Sequence, residues 1–117
     1  MTSFKRGDVV LVPFPFTDLS AVKRRPALVI SIDDYNRRTG DVVIAQITSK
    51  VDSPARPGDH NIGRWKEAGL VVPSLARARV TTLHSSIVVR QLGAMPAAEM
   101  GKIDAAIGSA LGFRRSA

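Results

Sequence analysis

Cysteine is absent from the 117 residues, histidine appears only twice, and aromatic side chains make up 5%. Without cysteine there is no disulfide framework, no thiolate metal site and no thiol nucleophile. The scarcity of aromatics leaves a core to be built from Val, Ile, Leu and Ala. It also leaves few rings on which nucleic-acid bases can stack. Acidic residues are short as well: 10 Asp and Glu against 17 Lys and Arg give a formal net charge of +7. Such a surplus favours polyanionic partners without naming one. No apolar run reaches the roughly 18–20 residues that span a bilayer. The start of the chain, Met1 to Asp8, lacks the apolar segment of a secretory signal. These features read as a soluble cytoplasmic protein.

The composition that is present, 44% hydrophobic and 23% charged, is that of a folded globular chain. Its length fits one domain over residues 1–117. Val9-Val10-Leu11-Val12 is apolar on both faces, as in a strand buried within a barrel or sandwich. Further strands are expected at Ala27–Ile32, Val42–Ile47, Ala76–Leu83 and Ile87–Leu92. One helical turn is expected at Asp33–Asn36, with Asp33 or Asp34 as its cap. Residues 51–63 are rich in turn formers and read as a loop. Met100, Ile103, Ile107 and Leu111 recur at helical spacing, which predicts an amphipathic helix over Ala97–Leu111 packed on the sheet. The result is a mainly β fold with a C-terminal α-helix, and an SH3-like barrel fits the strand spacing.

The familiar catalytic arrangements are missing. No Ser-His-Asp pattern, HExxH helix or phosphate-cradling GxxxxGK[ST] loop occurs. What remains is arginine with hydroxyls. Lys23-Arg24-Arg25-Pro26 runs directly into a strand, and Thr48-Ser49 closes the next one. If the two strands are antiparallel neighbours, Arg25 and Thr48 come together. A fixed guanidinium suits a phosphate oxygen. RNA can be cut without a metal by its own 2′-hydroxyl, provided that the attack is in line, the proton is taken and phosphoryl charge is neutralised. Arg25 suits the last task, and the Thr48 hydroxyl adds a donor. The plain alternative is a solvated basic loop followed by a capped strand end.

At these residues the chain resembles the MazF/PemK family of bacterial toxins from type II toxin–antitoxin systems. The likeness is carried by Arg6-Gly7-Asp8-Val9-Val10-Leu11-Val12, by Arg24-Arg25-Pro26-Ala27-Leu28-Val29-Ile30-Ser31, by Tyr35-Asn36 with Thr39-Gly40, and by Ile44-Ala45-Gln46-Ile47-Thr48-Ser49. A looser echo follows at Gly69-Leu70, Pro73-Ser74 and Thr82-Leu83. The resemblance implies an SH3-like barrel, a homodimer, and a metal-independent, sequence-selective endoribonuclease with no cofactor. It also implies single-stranded RNA as substrate and a cognate antitoxin whose acidic C-terminal segment covers the RNA groove. The family's catalytic Arg and Thr fall on Arg25 and Thr48. Ser49 is expected in the same pocket, with Arg77 and Arg24 among the substrate-binding residues. In the first loop, Phe16 is available to stack one base, while Thr17 and Asp18 shape the groove.

Three positions depart from the family pattern. Arg79 stands where some members carry an Asp used in proton transfer. The loop before the Arg-Arg-Pro-Ala motif reads Leu19-Ser20-Ala21-Val22, with Asp18 the nearest carboxylate. His84 follows the Thr-Leu pair in place of an acid. Asp18 and His84 are the substitutes available for proton transfer. Two other readings stay open: a CcdB-like inhibitor of DNA gyrase, and an RNA-binding SH3-like module without catalysis.

Overall fold

Val9 and Val10 are both fully buried, yet they belong to separate apolar clusters on opposite faces of one strand. The computed structural model describes residues 3–13 and 23–113. Among these residues lie strands β1 (Asp8–Pro13), β2 (Arg24–Val29), β3 (Asp41–Thr48), β4 (His60–Asn61), β5 (Leu75–His84) and β6 (Arg90–Ala94). Two helices accompany them, α1 (Asp33–Thr39) and α2 (Ala97–Ala110). The strands form a single antiparallel sheet in the order β4-β5-β3-β2-β1-β6. This half-barrel with a C-terminal helix is the mainly β, SH3-like class expected from the sequence.

Alternation along the strands builds both faces. One face carries Val9, Leu28, Ala45, Ile47 and Ala76 and is covered by Ile103 and Ile107 of α2. The other carries Val10, Val12, Ala27, Val29, Val42 and Ile44, packed by Phe4, Leu83 and Val88. Every member of that second cluster is at most 1% exposed, so it is closed within one chain. Apolar residues on both strand faces therefore give no argument for a partner.

Several motif residues serve the scaffold. The Arg6 guanidinium donates to the Ile30 carbonyl and pairs with Asp104 of α2, tying the helix to the sheet. Asn36 is buried and donates through Nδ2 to the carbonyls of Phe4 (3.1 Å) and Ser31 (3.3 Å). Glu99 of α2 accepts from His60 Nε2 (2.7 Å) and from the Arg64 N–H (2.7 Å), which joins α2 to β4 and the segment after it. Burial pushes the Glu99 carboxyl up, but these two hydrogen bonds and the charges of His60 and Lys102 outweigh it and hold the group below its ordinary value.

Several boundaries differ from the sequence expectation. Strand β2 starts at Arg24 and contains Pro26, which lies opposite Leu11 of β1. Pairing of β2 with β3 begins only at Ala27, next to the proline that has no N–H to extend it. The last strand begins at Arg90, because Ser85–Ile87 form a 3₁₀ turn whose Ser86 N–H is accepted by His84. Asp33 does not cap α1; its carboxylate accepts from the Arg6 N–H (2.7 Å), while Asp34 pairs with Arg38 (3.2 Å). Leu111 falls beyond the end of α2 and is 45% exposed, so it does not extend the packed stripe.

Candidate active site

Strands β2 and β3 run antiparallel with Ala27 opposite Gln46 and Val29 opposite Ile44. Carried two residues past its end, that register puts Arg25 across from Thr48. The two side chains sit on the face that holds Ala27 and Ile44, at its polar end. They line one pocket of about 260 Å³ together with Gln46, Lys50, Ser53, Arg56, Arg77 and Arg79. Five of those eight residues are Lys or Arg, and none is acidic.

The strands explain the arrangement. Between Ala45 and Ile47 the β3–β5 register shifts, so that Gln46 faces the stretch Arg77-Ala78-Arg79. Ala78 packs on the covered core, and Arg77 and Arg79 on either side of it line the pocket. Thr48 is 6% exposed, and its hydroxyl oxygen accepts the Lys50 N–H at 3.2 Å. The hydroxyl proton then remains for a ligand. Arg77 is equally enclosed. Its Nε donates to Asp59 Oδ1 at 3.0 Å and its Nη2 to Asp59 Oδ2 at 3.1 Å. Such an array of fixed donors is suited to phosphate oxygens.

The model of PemK-like, MazF-like toxins of type II toxin–antitoxin systems matches residues 5–111. The chain belongs to that family. Solved structures agree. The toxin is similar to a mycobacterial endoribonuclease in complex with its cognate antitoxin, at 25% identity over 97% of this chain and 100% of that one, with a TM-score of 0.77. A second mycobacterial endoribonuclease aligns at 26% identity over 99% and 98% of the two chains, TM-score 0.76. MazF from Deinococcus radiodurans aligns at 28% identity over 96% and 99%, TM-score 0.74. Comparison with curated protein sequences returns no match.

The toxin's other candidate residues are distributed as follows. Ser49 alternates away from Thr48. It lines an adjoining cavity of about 200 Å³ with Arg25, Pro26, Ile47, Leu70, Val71, Val72 and Ser74. Arg24 is exposed, stands opposite Pro13 of β1 and lines neither cavity. Phe16, Thr17 and Asp18 lie outside the described residues. His84 is removed from the site, because it pairs with Asp41 at the other end of β3. Seven residues of strand put it about 23 Å from Thr48. Its Nδ1 contacts the Ser86 hydroxyl (2.8 Å) and it lines a separate cavity with Phe4. His60 is engaged by Glu99.

Sequence reasoning overlooked Asp59, Gln46 and Ser53 as parts of the site. Gln46 lies inside a strand that reads as core, and Asp59 lies in a turn-rich segment 18 residues before Arg77. Among the described residues no group of three or more His, Cys, Asp or Glu is placed to hold a metal ion. Among the same residues no helix is long and apolar enough to cross a membrane.

Proposed function

We propose that this toxin cuts single-stranded RNA, mRNA included, at selected sequences and without a metal ion, and thereby inhibits translation and growth. The observation that carries the reading is the shared pocket of Arg25 and Thr48. A ribose 2′-oxygen attacks the adjacent phosphorus, and the bond from phosphorus to the 5′-oxygen breaks. The 2′-hydroxyl proton goes to a base, and the departing 5′-oxygen takes a proton. The products are a 2′,3′-cyclic phosphate and a 5′-hydroxyl end. Arg25 neutralises charge developing on the phosphoryl oxygens, and the Thr48 hydroxyl donates to it. With His84 distant, Asp18 is the remaining candidate from the sequence for taking the 2′-hydroxyl proton. Metal independence is supported by the pocket's lining, in which five of eight residues are Lys or Arg and which therefore disfavours a divalent cation.

Two partners belong to the same proposal. A relative is solved with its cognate antitoxin. An acidic C-terminal antitoxin segment would complement the cations around Arg25 and compete with RNA for them. A homodimer is supported by the exposed Ile87 and Val89 before β6, which are 44% and 41% accessible.

The test is a single-stranded RNA oligonucleotide incubated with toxin in EDTA, beside the same oligonucleotide carrying one 2′-deoxy residue at the cut site. The reading predicts cleavage of the first, with cyclic phosphate ends, and protection of the second. Cleavage of both, or dependence on added Mg²⁺, contradicts it.

A further inference from the structure

Asp59 stands behind the pocket wall with both carboxylate oxygens in use. Oδ1 accepts Arg77 Nε (3.0 Å). Oδ2 accepts Arg77 Nη2 (3.1 Å) and the Arg56 backbone N–H (2.9 Å). The turn closes in the other direction as well, since the Asp59 N–H donates to the Arg56 carbonyl at 3.0 Å. Its seat is tight. A Cβ on Gly58 would lie 2.6 Å from Ala78 Cβ and 2.9 Å from Ala110 Cβ. One carboxylate therefore fixes two pocket cations: Arg56 through the turn that bears it, and Arg77 through its guanidinium.

The consequence for Arg77 is directional. Two of its five N–H groups are spent on Asp59, and three remain. Its charge is balanced by a partner whose side chain is only 6% exposed. Arg77 then acts as an oriented donor, whereas the cations of Lys50, Arg56 and Arg79 act over longer range. We propose that Asp59 is a positioning residue of the RNA pocket, holding the Arg77 guanidinium and the 56–59 turn in the geometry that receives the scissile phosphate. This inference rests on the endoribonuclease reading and adds to it a residue that touches no substrate.

Asp59 itself is ill suited to take a proton. Burial pushes its carboxyl up, but the Arg77 and Arg56 hydrogen bonds and charges outweigh burial and hold it below the ordinary value. A group so held is ionised and weakly basic at working pH.

The experiment compares wild type, Asp59→Asn, Arg77→Lys and the double variant in steady-state cleavage. Binding to a 2′-O-methyl RNA, which cannot be cut, is measured over a range of salt. The expected result is a loss of about 10- to 100-fold in kcat for each single variant, from misplacement alone. KM should stay within about threefold. The double variant should lose no more than the worse single one, because both break one pair. In Asp59→Asn the released Arg77 charge should steepen the salt dependence of binding by about 0.7 in log–log slope, one phosphate contact. Arg77→Lys keeps the charge and guards against a fold failure in Asp59→Asn. Wild-type kcat in either single variant, or losses that multiply in the double variant, overturns the inference. An inactive wild type sinks the nuclease reading, and the binding slopes then decide whether Asp59 sets the charge of Arg77.

Discussion

The Lys50 N–H donates to the Thr48 hydroxyl oxygen at 3.2 Å, so one lone pair is occupied and the proton is left over. That arrangement turns a strand-end threonine into a fixed donor inside the Arg25 pocket. Thr48→Val keeps the shape and removes the donor, and it should cost about 10²–10³ in kcat. Thr48→Ser should retain most of the activity. Stopped-time cleavage assays on folded variants measure both, and a fully active Thr48→Val excludes Thr48 from charge stabilisation.

Salt should separate Arg25 from the cations proposed to steer RNA. Lys50 and Arg56 are exposed residues on the pocket rim. Each is expected to hold one phosphate electrostatically, so Lys50→Ala and Arg56→Ala should each lower the slope of log K against log salt by about 0.7. Their effect should lie mainly on KM. Fluorescence anisotropy of labelled RNA at several ionic strengths reads this directly. An unchanged slope in both variants removes them from the RNA path.

Acid should unfold the toxin through two carboxylates. Asp59 and Glu99 are both held below their ordinary values in the folded chain. Depressed folded values mean that their stabilisation is complete above the unfolded carboxylate range, near pH 4. It is lost as pH falls through the folded values. The urea midpoint should therefore be flat above about pH 5 and fall below about pH 4. Asp59→Asn and Glu99→Gln should lower the plateau and flatten the fall. Removing one partner of the enclosed Arg77–Asp59 pair costs about 3 kcal/mol. Urea titration at stepped pH is the measurement, and a midpoint that keeps its wild-type acid slope in both variants contradicts the assignment.

Gly69 and Gly93 cross at van der Waals distance. A Cβ on Gly69 would sit 2.3 Å from the Leu92 carbonyl oxygen, and Gly69 has φ +88°. Both the contact and the backbone angle exclude a side chain there. Gly69→Ala should lower stability by about 3 kcal/mol or more. Thermal unfolding tests it, and a wild-type Tm would show that the crossing can open.

Much of this fold was legible because β-branched runs such as Val9–Val12 and Val42–Ile47 have few other uses. Arg24 and Arg25 fall before the apolar run expected as strand at Ala27–Ile32, and tertiary pairing with Pro13 and Val12 extends the strand to them. Pro26 falls before the expected start of the strand at Ala27, yet it sits in β2 where the β3 ladder has not begun. His60–Asn61 is too short and too polar a strand to show any periodicity. For the site, the motif order brought Arg25 to Thr48 and Arg77. Asp59 stayed hidden because its role is a contact across a turn, which no spacing announces. His84 looked available by position in the chain and is excluded by its place on β5, at the far end of β3.

Primer-extension mapping on a long unstructured RNA in EDTA, wild type beside Arg25→Ala, addresses the central claim most directly. The account predicts discrete stops at a recurring short sequence with the wild type, and their disappearance, or a fall of at least about 10²-fold, with the variant. Stops of equal strength with Arg25→Ala, or an RNA left intact by the wild type, would contradict it.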